Sequence, residues 1–258
     1  MLQSLLLVAV LSVSRGSNVN RNTAIFVDNR IRHNAIAPSE PLKVFALFVR
    51  PRPFVAHAPG TSVELTCEAY GSPAPSIHWY KNDAPVYEHD LESNEHIDTN
   101  PESLARVVST LLVTKTETED LYRCVVKSGG RMKSATSKVY RSIDGDGGTE
   151  MPERSRLNPL APRILVTYKA YVDQIGNRVV LPCRVRGHPR PHITWTHRGM
   201  MDTKEVIVKN GPRMKVLRSG ELVLSPLRWT DIGNFTCRAS NVFGEQLATT
   251  FVYPAKPE

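Results

Sequence analysis

Three histidines, His188, His192 and His197, fall close together, and His is a common ligand of zinc. Metal binding needs their imidazoles to converge. His192 and His197 are an odd number of positions apart in HITWTH, a run that reads as a strand, so they face opposite sides, with His188 in the loop before them. No metal is expected there. The stretch DGDGG, residues 144–148, mixes carboxylates with glycine, yet it lacks the terminal Glu and alternating oxygen ligands of an EF-hand loop. There is no Gly-x-Ser-x-Gly elbow, no phosphate-cradling glycine loop and no His-Glu-x-x-His pair, so hydrolase, nucleotide and zinc-protease chemistry all lack their parts. The chain reads as a non-enzyme without cofactor. Two chemistries remain: four cysteines, Cys67, Cys124, Cys183 and Cys237, and one N-glycosylation sequon, Asn234-Phe235-Thr236.

Which cysteine chemistry applies depends on the compartment. The first residues, MLQSLLLVAVLSVSRGS, carry an apolar run from Leu5 to Val13 followed by small residues, the pattern of a signal peptide over residues 1–14. The run is too short to span a bilayer, no other segment reaches eighteen consecutive apolar residues, and FVYPAKPE ends the chain without a hydrophobic tail. A secreted, extracellular chain with no membrane insertion is expected. An oxidising compartment turns four cysteines into a disulfide framework, for which three pairings are possible.

With 258 residues, 41% hydrophobic and 22% charged, the chain has the length for about two folded domains. Residues 15–42 are polar and Asn-rich and read as a flexible N-terminal arm. From Lys43 onward, short runs of Val, Leu, Ile, Thr and Tyr alternate with Gly, Pro, Asn and Asp clusters, which argues for all-β sandwiches. The pattern also repeats. Cys67 precedes Trp79 and Cys183 precedes Trp195 by the same twelve residues, through CEAYGSPAPSIHWYK and CRVRGHPRPHITWTHR, which share Gly-x-Pro-x-Pro. Cys124 and Cys237 each have an aromatic two positions earlier, Tyr122 and Phe235.

Each half resembles an immunoglobulin domain of the intermediate set. In the second half, Leu227, Asp231, Gly233, Phe235, Cys237, Ala239, Asn241 and Gly244 follow the family's Leu-x-x-x-Asp-x-Gly-x-Tyr-x-Cys-x-Ala-x-Asn-x-x-Gly. The resemblance implies two tandem sandwiches, residues 43–140 and 163–254, with a linker at 141–162 and a tail at 255–258. It pairs Cys67 with Cys124 and Cys183 with Cys237, and packs Trp79 and Trp195 over those bridges. Phe235 lacks the hydroxyl that closes the family's tyrosine corner, so Asp231 is expected to tie the corner by pairing with Arg213. The first half keeps Tyr122 but has Thr118 and Asp120 where the motif expects Asp and Gly. Strand alternation turns Asn234 outward, away from the disulfide core. The linker, rich in Gly, Pro and charge, reads as a flexible hinge.

A chain of this kind acts through its surfaces. Residues 44–140 hold ten Lys or Arg against twelve Asp or Glu, whereas residues 163–258 hold fifteen against seven, which accounts for the formal net charge of +8. Arg184, Arg186 and Arg190 lie close together in CRVRGHPRPH and suggest heparan sulfate or an acidic protein, while secretion argues against nucleic acid. In LKVFALFVRPRPF, residues 42–54, Val44, Ala46 and Phe48 alternate with Phe45, Leu47 and Val49, so both faces of the first strand are apolar. One face packs on its own domain; the other is expected to meet the second domain, the N-terminal arm or a separate protein, with Phe45, Phe48 and Phe54 as anchors for a partner. The whole layout resembles the secreted two-immunoglobulin proteins of invertebrates, most closely the ecdysone-inducible, insulin-binding growth antagonists of insects. That resemblance implies sequestration of insulin-like peptide hormones and antagonism of growth signalling. The alternative is a neuronal or cell-surface recognition factor held in the matrix by the basic face.

Overall fold

A computed structural model describes residues 44–86, 100–142 and 159–256. The signal peptide, the N-terminal arm and most of the linker lie outside the described residues. The first sandwich begins with β1 (Phe45–Val49), β2 (Phe54–His57), β3 (Val63–Gly71) and β4 (Ser76–Lys81). It continues with β5 (Ala84–Pro85), β6 (Leu104–Val113), β7 (Glu119–Ser128) and β8 (Arg131–Arg141). One sheet runs β1-β3-β6; the other runs β2-β8-β7-β4-β5. Turn chemistry fits the hairpins: Asn82 and Asp83 between β4 and β5, and Gly129 and Gly130 between β7 and β8, all have the positive φ that tight hairpin turns require. Cys67 on β3 is bonded to Cys124 on β7, joining the two sheets through a core that buries Leu65, Val107, Val126 and Val139.

The second sandwich opens with β9 (Leu160–Gln174) and continues with β10 (Val179–Leu181), β11 (Cys183–His188), β12 (His192–Gly199) and β13 (Val206–Ile207). The expected domain start at residue 163 therefore falls inside β9. It closes with β14 (Met214–Val216), β15 (Leu222–Leu224), a single helical turn at Trp229–Asp231, β16 (Gly233–Asn241) and β17 (Gly244–Ala255). Pro182, which has no amide hydrogen to give a ladder, separates β10 from β11. Cys183 on β11 is bonded to Cys237 on β16.

β9 joins the two halves. Its first part pairs antiparallel with β11, its last part pairs parallel with β17, and its opposite edge pairs antiparallel with β6 of the first sandwich. The result is one sheet running β1-β3-β6-β9-β17-β16-β12-β13 through both sandwiches. β9 suits this position because LAPRILVTYKAYVDQ is rich in β-branched and aromatic residues. Tyr168 and Tyr171 stack with ring centroids 5.2 Å apart and are buried at the junction.

Two expectations need correction. Although the linker composition reads as a hinge, backbone ladders between β6 and β9 hold the two sandwiches together. The first strand does not lie between the domains either: β1 is the outer edge of the shared sheet, and β6 occupies the junction.

Candidate binding face

The functional geometry follows from strand register. Ala46, Tyr70, Arg106, Ala170, Phe251, Asn234 and Arg198 are successive cross-strand partners from β1 to β12. Cross-strand partners share a face, so these residues form one row across both domains. The opposite face of the sheet carries the buried Leu65, Cys67, Ala105, Val252, Phe235 and Cys237, and the row therefore lies on the outer face. Beside it, Leu104, Val172 and Tyr253 form a second row, and Trp229 packs edge-on against Tyr253 with centroids 6.1 Å apart. Trp229, Phe251 and Tyr253 are all exposed.

The β1 end of this face departs from strict alternation. The register shifts between Leu47 and Val49, so Val49, opposite Glu68, turns to the same side as Phe48, which shares the outward face of Ala46 and is 60% exposed, edge-on to Tyr70 at 6.2 Å and under the Arg106 guanidinium. Phe45 and Leu47 instead pack against the core, and Phe45 is covered by Arg131 and Lys133. Phe54, 68% exposed, lies on β2 in the other sheet of the first sandwich. Of the three aromatic anchors proposed from sequence, only Phe48 reaches the continuous face. Phe45 falls on the inner face, as its alternation with Phe48 requires, and Phe54 lies in the other sheet. Phe251 and Tyr253 were missed, although their i, i+2 spacing in TTFVY was a visible sign of a shared strand face.

A buried carboxylate holds the junction. Glu68 on β3 receives hydrogen bonds from Arg106 on β6 and from Lys169 on β9, the latter at 2.9 Å. Burial alone would raise its pKa, but the two cations together hold it below the ordinary carboxylate range. Asp173, also buried, accepts from Asn100 of the first sandwich at 2.9 Å and from Tyr171 and Asn177 of the second at 2.9 and 2.8 Å.

The corner residues have defined partners. Arg213 donates from Nη1 to Asp231 Oδ2 at 2.7 Å, and the Arg228 amide donates to the same oxygen at 2.8 Å. Gly233 has φ +144°, and a Cβ there would lie 2.3 Å from the Arg198 carbonyl oxygen, which explains glycine in Asp-x-Gly. Phe235 stacks on His197 at 4.2 Å, and burial holds the His197 pKa below its usual value against the pull of Asp231. In the first sandwich Tyr122 is buried, which with nearby Asp120 pushes its pKa up to about 12. Asn82 donates to Asp120 at 2.9 Å and accepts the Leu121 amide at 2.8 Å, a local tie where the motif departs from the family. Trp79 donates to Ser109 Oγ at 3.0 Å and Trp195 to the Gly220 carbonyl at 2.9 Å.

His192 pairs with Ser240 on the outer face of β12, His197 lies inward, and His188 is opposite Leu160 on β9, so the three do not converge. Arg184, Arg186 and Arg190 line one depression with Leu165 and Pro191, and Arg163 is the cross-strand partner of Arg186. A cavity of about 660 Å³ lies between the sandwiches, lined by Pro73, Ile77, Val107, Tyr168 and Pro182 among others; its charged lining residues, Lys127 and Arg131, are both cations. Among the described residues no helix is long and apolar enough to cross a membrane.

Residues 48–128 and 161–241 each match the immunoglobulin domain family. The chain is 36% identical over 210 residues to neural/ectodermal development factor IMP-L2 of Drosophila melanogaster, covering 78% of this chain and 73% of that protein. The Zwei Ig domain protein zig-2 of Caenorhabditis elegans is 28% identical over 206 residues, covering 76% of this chain and 79% of its own. The crystal structure of neural ectodermal development factor IMP-L2 superposes with a TM-score of 0.70 at 31% identity, covering 84% of this chain and 97% of that one. With both sandwiches matched and the whole two-domain arrangement shared, the chain belongs to the immunoglobulin-domain family as a two-domain relative of neural/ectodermal development factor IMP-L2.

Proposed function

We propose that this chain is a secreted, non-catalytic binding protein that captures insulin-like peptides and lowers the hormone available to the receptor, antagonising growth signalling. The observation that carries the reading is the outer face of the shared sheet, where Phe48, Phe251, Tyr253 and Trp229 are exposed across both domains. Exposed aromatics on a rigid surface are typical anchors of protein recognition, and insulin-like peptides present an apolar receptor-binding face to match them. The insulin-binding growth antagonists that the sequence resembles supply the hormone class.

Calorimetric titration with an insulin-like peptide tests the proposal. A saturable one-to-one complex, little changed by salt, is expected. Tyr253→Asp should weaken it by about 2 kcal/mol, as for an interface hot spot. No heat at micromolar peptide, together with no binding in an independent assay, would remove the hormone from the reading.

A second reading, a neuronal or cell-surface recognition factor held in the matrix by heparan sulfate, is favoured by the convergence of Arg184, Arg186 and Arg190 on one depression. It predicts retention on heparin that collapses as salt rises. Charge reversal at the three arginines would abolish that retention and leave peptide capture intact.

A further inference from the structure

The sequon residue Asn234 borders the aromatic part of the outer face: on β16 it is the direct cross-strand partner of Phe251 on one side and Arg198 on the other, in the row that continues through Ala170 to Arg106. We infer that glycosylation of Asn234 is a steric control on the binding face, so that the secreted protein exists in an open form and a blocked form. This inference rests on the hormone-capture reading given above.

The structure also bears on when the sugar is attached. In the folded chain Asn234 is only half-buried, with its side chain on the solvent side of β16. The sequon hydroxyl, on Thr236, is buried against Thr249 Oγ1 at 3.0 Å, and β16 is held between β12 and β17. A transferase that must read both side chains of the sequon therefore has access before β16 is laid into the sheet, and folding closes that access. The transfer itself needs only a lipid-linked oligosaccharide. The Asn234 amide nitrogen bonds to its anomeric carbon, the carbon–oxygen bond to the lipid diphosphate breaks, the diphosphate leaves, and the amide gives up one proton. Chains modified in time fold with a glycan rising directly beside Phe251, at the β16 border of the aromatic face; chains that fold first stay bare.

The geometry makes the consequence local. A glycan on Asn234 stands beside Phe251 and near Tyr253, where a peptide would have to lie flat on the sheet. Arg184, Arg186 and Arg190 line their own depression with Leu165 and Pro191, and that site would be left open.

The test uses the full chain secreted from a host that attaches N-glycans. Intact mass and glycopeptide mapping should find Asn234 partly occupied, and a lectin column should divide the protein into retained and unretained fractions. Each fraction, and Asn234→Gln, is then titrated with an insulin-like peptide. The expected result is that the retained fraction binds at least about tenfold more weakly, a penalty of about 1.4 kcal/mol. Asn234→Gln should pass the lectin column entirely and bind like the unretained fraction. Asn234 found bare in all molecules, or equal affinity of the two fractions, would overturn the inference. Failure of every form to bind peptide, Asn234→Gln included, would instead count against hormone capture, while occupancy at Asn234 would still be read from the mass.

Discussion

Asp231 shows how one residue fixes the second sandwich. Its carboxylate is almost fully buried and takes a guanidinium and a backbone amide on the same oxygen. Truncating the cation leaves a buried charge with only an amide to satisfy it, which is far more costly than losing an exposed ion pair. Arg213→Ala should therefore destabilise the protein by about 3 kcal/mol, visible as a lower urea midpoint with unchanged slope. A midpoint equal to wild type would mean that Phe235 and its stack on His197 carry the corner unaided. This tie was legible in the sequence because Asp231 and Arg213 hold positions set by the family motif. The face of Phe48 was legible from its alternation with Ala46, whereas the bulge that also turns Val49 outward was not, since no local pattern announces it.

At the scale of elements, strand existence was readable from alternation and turn residues, whereas strand partnership was not. β6 and β9 are separated by a long stretch of chain, and nothing in LARVVSTLLV or LAPRILVTYKAYVDQ names the other as its neighbour. The ladder between them is accompanied by charge: Glu68 draws one cation from β6 and one from β9. Its lowered pKa gives a sign that can be measured. A carboxyl whose folded-state pKa lies below its unfolded value contributes stability above the unfolded value, about 4.3 for Glu, and loses it as pH falls through the folded value. The urea midpoint of wild type should therefore exceed that of Glu68→Gln most at neutral pH. The gap should narrow once the pH drops below about 4. A gap that stays constant across that range would show that Glu68 contributes by packing and not as a charge.

For the whole molecule, the shared sheet changes what the linker does. Tandem domains joined by a flexible segment usually move relative to each other, because their contacts are small and polar. Here six residue pairs from Leu104↔Val172 to Ser109↔Val166 link the domains by strand pairing. Asn100 to Asp173, Lys169 to Glu68 and Arg163 to Glu64, the last at 3.3 Å, add polar ties, and Tyr168 and Tyr171 are buried at the seam. The aromatic face exists only while that seam is closed, since Phe48 belongs to one domain and Phe251, Tyr253 and Trp229 to the other. A protease site placed within residues 143–158 separates connection from contact. After cleavage, with both disulfides intact, the two halves should still elute together in size-exclusion chromatography at micromolar concentration and should still bind an insulin-like peptide. If the halves part while each remains folded, the covalent linker and not the β6–β9 ladder holds the face together. Peptide binding should then fall with the separation, because neither half alone carries both ends of the aromatic surface.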